Sequence, residues 1–323
     1  MTSASLLSSA LAMCRPKTLP VCRHPRNNHL NGKTKMPDLQ GSSTMSIKAS
    51  GHLEKMITSL GDNGQVAYEL PLDSQRIGLN ALIGKAISIE HLGDIHCIHC
   101  GRRSKKSFSQ GFCYPCFTSL PHCDSCIMSP EKCHFHHGTC RDPEWGEKYC
   151  FTDHFVYLAN SSGVKVGITR GTQLPTRWID QGATQGLPIF RVQTRYQAGL
   201  IEDCLREHIA DKTHWQKMLK GNAEDVDLTV LRDQLLAKSE SGLELLEQEF
   251  GLQALQRLYS ESITTIDFPV SQWPQKVKSF NLDKQPLIEG VLQGIKGQYL
   301  ILDTGVINIR KYTAYNVQFS AAA

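Results

Sequence analysis

Nine of the twelve cysteines fall between Cys97 and Cys150. A window so dense in thiols folds either around disulfides or around metal. At 323 residues the chain is no small secreted scaffold, and it shows no secretory signal peptide. A reducing compartment with zinc is therefore expected, and the cytoplasm is the expected location. There is no run of about 18 apolar residues, so no membrane partner is expected.

Spacing sorts the thiols. Cys97-x-x-Cys100, twelve residues, then Cys113-x-x-Cys116 is a zinc-ribbon spacing. Each C-x-x-C turn presents two thiolates to one side of an ion, and the second turn closes the tetrahedron. Four thiolates leave no position for water, so this site is expected to be structural. Cys123-x-x-Cys126 reads as a further knuckle. Its closing pair can come from Cys133, Cys140, Cys150 or His154, with His134, His136 and His137 in range. The expectation is two structural Zn²⁺ ions, the second held by Cys123, Cys126 and two of Cys133, Cys140 and Cys150. Nine cysteines exceed eight ligands, so one is spare or a third metal is present. His136 and His137 read as a polar loop face.

The run GRRSKK, residues 101–106, raises nucleic-acid binding. Residues 97–177 hold ten Lys/Arg against six Asp/Glu. Each four-thiolate zinc carries about −2, so two such sites cancel the excess. The run counts only as a local patch, with a solvated loop as the plain alternative.

Hydrophobic patterning divides the rest and predicts an α+β chain. Residues 1–46 are rich in Ser, Pro, Asn, Arg and Lys, with no acid before Asp38. They read as a disordered tail or an early, mis-assigned start, with an organelle transit peptide as the functional alternative. Cys14 and Cys22 belong to them. Residues 47–96 alternate as a small β module, 97–153 form the Cys/His block, and 154–222 read β-β-α-β-α. In the last of these, Ala198, Ile201, Leu205 and Ile209 give helical spacing. Residues 223–285 form a helical segment, with 224–260 read as helix, Asp225 or Asp227 as cap, and Leu228, Leu231, Leu235, Leu243, Leu246, Phe250, Leu255 and Leu258 as the buried stripe. Residues 286–323 return to strand. The Gly-bounded runs IGKAISIEHLGDIHC and IEGVLQGIKGQYLIL suggest that the two ends pair into one β module. Trp178, Trp215 and Trp273 can stack on bases but read first as core.

HFVYLANSSGVKVGITRGTQLPTRW, residues 154–178, reads as a hairpin with Tyr157, Lys165, Gly167, Arg170 and Arg177 close together. It resembles the core of the GIY-YIG nuclease superfamily, whose hairpin carries the two name motifs, followed by a helical Arg and a later helical Glu. FVYLA matches the first motif through Tyr157. KVGIT matches the second through Gly167, with Lys165 where the tyrosine usually stands and Thr169 after the glycine. Arg177 matches the arginine and Glu202 the metal-binding glutamate. Phe155 stands where glycine is usual, and Asn222 is the available position for the late asparagine. A zinc-ribbon block followed by such a domain is also similar to an uncharacterised bacterial family, a domain of unknown function.

The resemblance implies that Glu202 holds one Mg²⁺ or Mn²⁺, Arg177 pairs with phosphoryl oxygens, and Tyr157 orients or deprotonates the attacking water. It implies that Gly167 lets backbone approach the ligand and that Lys165 contacts phosphate. The expected function is action on nucleic acid, DNA or RNA, by metal-dependent phosphodiester cleavage. The alternatives are a catalytically inactive zinc-ribbon nucleic-acid-binding protein and a protein–protein scaffold. In these, Tyr157 is a packing tyrosine, Gly167 a bulge, and Arg177 and Glu202 an ion pair. No nucleophile elbow and no P-loop occur, so serine hydrolases and nucleotide kinases are not indicated.

Overall fold

The computed structural model describes residues 45–209, 213–251 and 253–322. The expectation for residues 1–46, with Cys14 and Cys22, lies outside the described residues, apart from Met45 and Ser46, which open the first strand. The architecture is mixed α+β, with N-terminal sheets, helices in the middle and C-terminal strands.

Five strands precede the cysteine block: β1 (Met45–His52), β2 (Ile57–Leu60), β3 (Val66–Leu72), β4 (Gln75–Gly78) and β5 (Ala86–Ile95). The block holds α1 (Tyr114–Ser119), α2 (Pro143–Cys150) and several short 3₁₀ turns. Then come β6 (His154–Asn160), β7 (Val164–Arg170), α3 (Thr176–Asp180), β8 (Gln185–Val192) and α4 (Arg195–Arg206), in the β-β-α-β-α order read from the sequence. The chain continues through α5 (Trp215–Met218), α6 (Leu228–Phe250), β9 (Leu255–Arg257) and β10 (Thr264–Thr265). It ends in β11 (Leu287–Lys296), β12 (Tyr299–Leu302), β13 (Gly305–Asn308) and β14 (Tyr315–Ala322).

The two Gly-bounded runs do meet. A six-stranded sheet runs β1-β14-β5-β11-β12-β13, and Ile89 of β5 lies between Phe319 and Ile288. Alternation drives the pairing: Ile87, Ile89, Val317, Phe319 and Ala321 point into one core, as successive side chains on a strand take opposite faces. Each large side chain buried there contributes on the order of 2 kcal/mol. The three-stranded sheet β2-β3-β4 adds Val66, Tyr68 and Leu70 to the same core.

A second sheet runs β10-β8-β6-β7, with β9 also on β8. Its central strand β6 is buried on both faces. Tyr157 and Ala159 join the first core, whereas Val156 and Leu158 pack with Ala198, Ile201 and Leu205 of α4 and Leu228, Leu235 and Leu243 of α6. A capping box starts α4: the Thr194 hydroxyl accepts from the Gln197 N–H, and the Gln197 side chain accepts from the Thr194 N–H. The helix stops at Arg206, so Ile209 packs from beyond its end. Asp227 caps α6 by accepting from the Thr229 and Val230 N–H groups.

The expected helix over 224–260 is corrected at its far end. Gly251, with φ +90°, closes α6, and Leu255 reaches the core from strand β9 instead. Trp178 is buried edge-on to Tyr157, Trp215 stacks on Tyr299, and Trp273 faces the Lys296 ammonium. Among the described residues, no helix is long and apolar enough to cross a membrane.

Candidate active site and metal centres

Tyr157 on β6 and Gly167 on β7 are direct cross-strand partners. The phenol ring lies over the glycine: a Cβ at 167 would come 2.7 Å from the Tyr157 hydroxyl oxygen. Gly167 thus makes room for the tyrosine, and it also lines the cavity described below. The hairpin turn is held by Asn160, whose amide donates to Gln185 Oε1 and the Glu224 carbonyl, and by Gly163 at φ +140°. The polar turn residues are therefore structural.

Tyr157, Lys165, Gly167, Arg177 and Glu202 line one cavity of about 140 Å³. They come from β6, β7, α3 and α4, and the alternating strands and helical turns aim them at one point. Ile127, Met128 and Pro130 of the cysteine block form another part of the wall. The Tyr157 hydroxyl donates to Gln181 Oε1 at 3.2 Å. Burial lifts this phenol above its usual range, with Glu202 adding to the rise and Arg177 and Gln181 opposing it. The tyrosine is therefore protonated at neutral pH and acts as a hydrogen-bonding group.

Two further polar residues line this cavity, Gln181 and Arg195. Gln181 stands four positions after Arg177, and Arg195 stands seven before Glu202, both helical intervals. Following these intervals from Arg177 and Glu202 finds both. Arg195 Nη2 donates to the Ile127 carbonyl at 2.7 Å. Its Nε is buried and has no hydrogen-bond partner among the described residues. Asn222 does not join the cavity lining; its Oδ1 accepts from Lys296 Nζ at 3.0 Å. Arg170 lies over the Tyr149 ring, outside that lining.

Cys97, Cys100, Cys113 and Cys116 gather with all their sulfur atoms within 4.8 Å of one another, a group that can hold a metal ion. Cys97 follows β5, and Cys113 caps α1. Turns through Gly101 and Gly111, both at positive φ, bring the two pairs face to face. Burial raises the Cys97 thiol, but backbone N–H groups of Cys100, Cys113 and His99 outweigh it and bring it to about 6. Burial and the neighbouring thiols push Cys116 well up. Four crowded thiols whose protonation is split in this way suit a cation.

The second group differs from the expectation. Cys126, Cys133, Cys140 and Cys150 all line one small cavity of about 20 Å³, and Cys123 does not. Cys123 instead interacts with Ser109, Arg141 and Cys97. Asp124, between Cys123 and Cys126, caps the turn Ser125–Ile127 and pairs with Arg141. Burial raises the Cys126 thiol to about 11, helped by Asp124, Cys133, Cys150 and Cys140. Asp124, Cys126 and His134 are a second donor set within 4.8 Å that can hold a metal ion. His136 and His137 are exposed. His154 is buried, and its Nδ1 meets the Thr152 carbonyl at 2.6 Å. The basic run 101–106 is a solvated surface in which Arg103 pairs with Asp94 at 2.8 Å.

No curated protein and no solved structure matches the chain. Residues 84–317, which contain both cysteine groups and every residue lining the cavity, match the family model described as Protein of unknown function (DUF2797), and the chain belongs to that family.

Proposed function

We propose that the cavity between β6, β7, α3 and α4 is a phosphodiester site, and that the protein cleaves nucleic acid with a divalent ion. The observation that carries this reading is convergence. Five residues spread from 157 to 202, singled out by likeness to the GIY-YIG core, line a single polar cavity. In this reading Glu202 holds one Mg²⁺ or Mn²⁺, which suits a hard carboxylate oxygen and supplies charge to a phosphate. Arg177 and Arg195 offer guanidinium forks to phosphoryl oxygens, and Lys165 adds a point charge. Tyr157, kept protonated by burial, positions the attacking water by hydrogen bonding. Cys97, Cys100, Cys113 and Cys116 hold a structural zinc, because four thiolates leave no open position.

A second reading, binding without cleavage, is favoured by one feature. Lys165 stands where the superfamily carries a tyrosine, and Tyr157 is a poor base, so the hairpin supplies no ready general base. The test is a strand-cleavage assay with the full chain, end-labelled single-stranded, duplex and branched DNA and RNA, and Mg²⁺ or Mn²⁺. Cuts that vanish in Glu202→Ala support the nuclease reading. Identical blanks from both proteins remove it. Salt then separates binding from a scaffold role, because phosphate binding releases counterions and weakens steeply as salt rises.

A further inference from the structure

We propose that Cys126, Cys133, Cys140 and Cys150 form a second tetrathiolate zinc centre, which Asp124 and His134 brace without ligating. The inference goes beyond the phosphodiester reading and does not depend on it.

All four cysteines are free thiols lining the same cavity, with their sulfur atoms more widely spread than the first group's, which all lie within 4.8 Å of one another. At about 20 Å³ that cavity has room for one small ion and no organic ligand. Phe135, Trp145 and Phe151 complete its wall with Gly146. The packing is tight there: a Cβ on Gly146 would lie 3.2 Å from the Phe135 ring and 3.5 Å from Cys140 Sγ. Soft sulfur donors in an apolar shell select zinc over magnesium or calcium.

The competing donor set is Asp124, Cys126 and His134, and two of its members are already engaged. Asp124 pairs with Arg141 at 3.1 Å and accepts from the Ser125 N–H. Its remaining partners are the Ser125 hydroxyl and His134 Nε2, each at 3.3 Å. His134 Nδ1 lies 2.9 Å from the Thr139 hydroxyl, so both ring nitrogens have partners. Ligation by either residue breaks one of these contacts, whereas the thiols give up only weak ones, such as Cys140 to the Asp142 carbonyl. An Asp–His–Thr chain beside Cys126 and Cys133 is the arrangement expected of groups that orient metal ligands from behind. Arg195, bonded to the carbonyl that follows Cys126, supplies positive charge against the −2 of a tetrathiolate zinc.

The centre would also shape the neighbouring cavity. Cys126 and Cys133 flank the segment carrying Ile127, Met128 and Pro130, which form part of its wall. Pro130 and Glu131 press on α4 so closely that a Cβ at Gly199 would lie 2.6 Å from Pro130 Cβ. An ion joining Cys126 to Cys133 fixes both ends of that wall.

The test is metal content and coordination of the full chain, purified with zinc supplied. Plasma mass spectrometry is expected to find about two zinc ions per wild-type chain, and X-ray absorption an all-sulfur shell near ~2.3 Å. Cys133→Ser and Cys140→Ser should each retain about one zinc, while Cys123→Ser and His134→Gln retain about two. One zinc in the wild type overturns the proposal. So does a shell containing nitrogen or oxygen near ~2.0–2.1 Å, or the loss of a zinc from Cys123→Ser or His134→Gln. The absorption measurement uses the unaltered protein, so it decides the matter even where a serine variant does not fold.

Discussion

The cysteine block and the cavity beside it are held together by different means. Around Cys97, Cys113 and Cys116 the buried apolar group gains only the partly buried Phe112 and Leu120. Turns and 3₁₀ segments make up most of the block, with two short helices. Little apolar surface is available there to offset the entropy of ordering so much loop. The cavity rests instead on β6, buried on both faces, and on α4, packed beneath that sheet. Its charged groups stand on a scaffold that is complete without them. If the cysteines hold an ion, as proposed, the block depends on it, whereas the strands and helix that carry the cavity's charged groups bury a core of their own.

The largest effect that sharpens this contrast is loss of a first-group thiol. Cys113→Ser leaves three sulfur ligands in a region with almost no other core. It should release the metal and destabilise the block by about 4 kcal/mol or more. Hydrogen exchange is expected to show lost protection over 97–120, with β6 to β8 still protected. Equal loss in both regions would break the contrast.

Acid tests the seam between the two regions. His154 opens β6 four residues after Cys150, and burial lowers it to about 4 from a usual 6.5, with Arg195 and Arg170 adding to the effect and the Thr152 carbonyl opposing it. The folded state keeps this ring neutral, while the unfolded chain takes up a proton near 6.5. The stability contribution is thus complete above pH 6.5 and is lost as pH falls toward 4, by roughly 3 kcal/mol in all. Urea unfolding from pH 7 to 4 should be steeper with pH in the wild type than in His154→Gln. Parallel curves would remove the buried neutral histidine.

A smaller effect is expected at the cavity floor. Gly167→Ala puts a methyl 2.7 Å from the Tyr157 hydroxyl oxygen, against a ring fixed by both strands. It should cost about 2 kcal/mol in denaturant unfolding without changing metal content. Gly78→Ala, where a Cβ meets nothing within 4 Å, is the control and should change stability far less.

What was legible in the sequence follows the same division. The first tetra-cysteine group depends on local spacing, so two C-x-x-C turns announce it. The hairpin, α4 and the meeting of β5 with β11 and β14 depend on periodicity and also read through. The C-x-x-C rule is local and gives no sign that Asp124, beside Cys123, meets the distant Arg141 and His134. The strand β9 was missed because Leu255 and Leu258 continue an apolar pattern past Gly251, and the glycine at that helix end was the signal to stop. Gln181 and Arg195 escaped notice because a polar residue carries no periodic signal by itself. Only their helical intervals from Arg177 and Glu202 connect them to the cavity.

The most direct test of the division between frame and cavity is a binding titration. Labelled single-stranded DNA and RNA of mixed sequence are titrated, at low and physiological salt, with wild type, Arg177→Gln and the double variant Arg102→Gln/Lys105→Gln. If the cavity handles phosphate, Arg177→Gln should weaken binding about 10-fold and the double variant by less than about 3-fold. The reverse order, or no salt-sensitive binding by the wild type, would contradict the account.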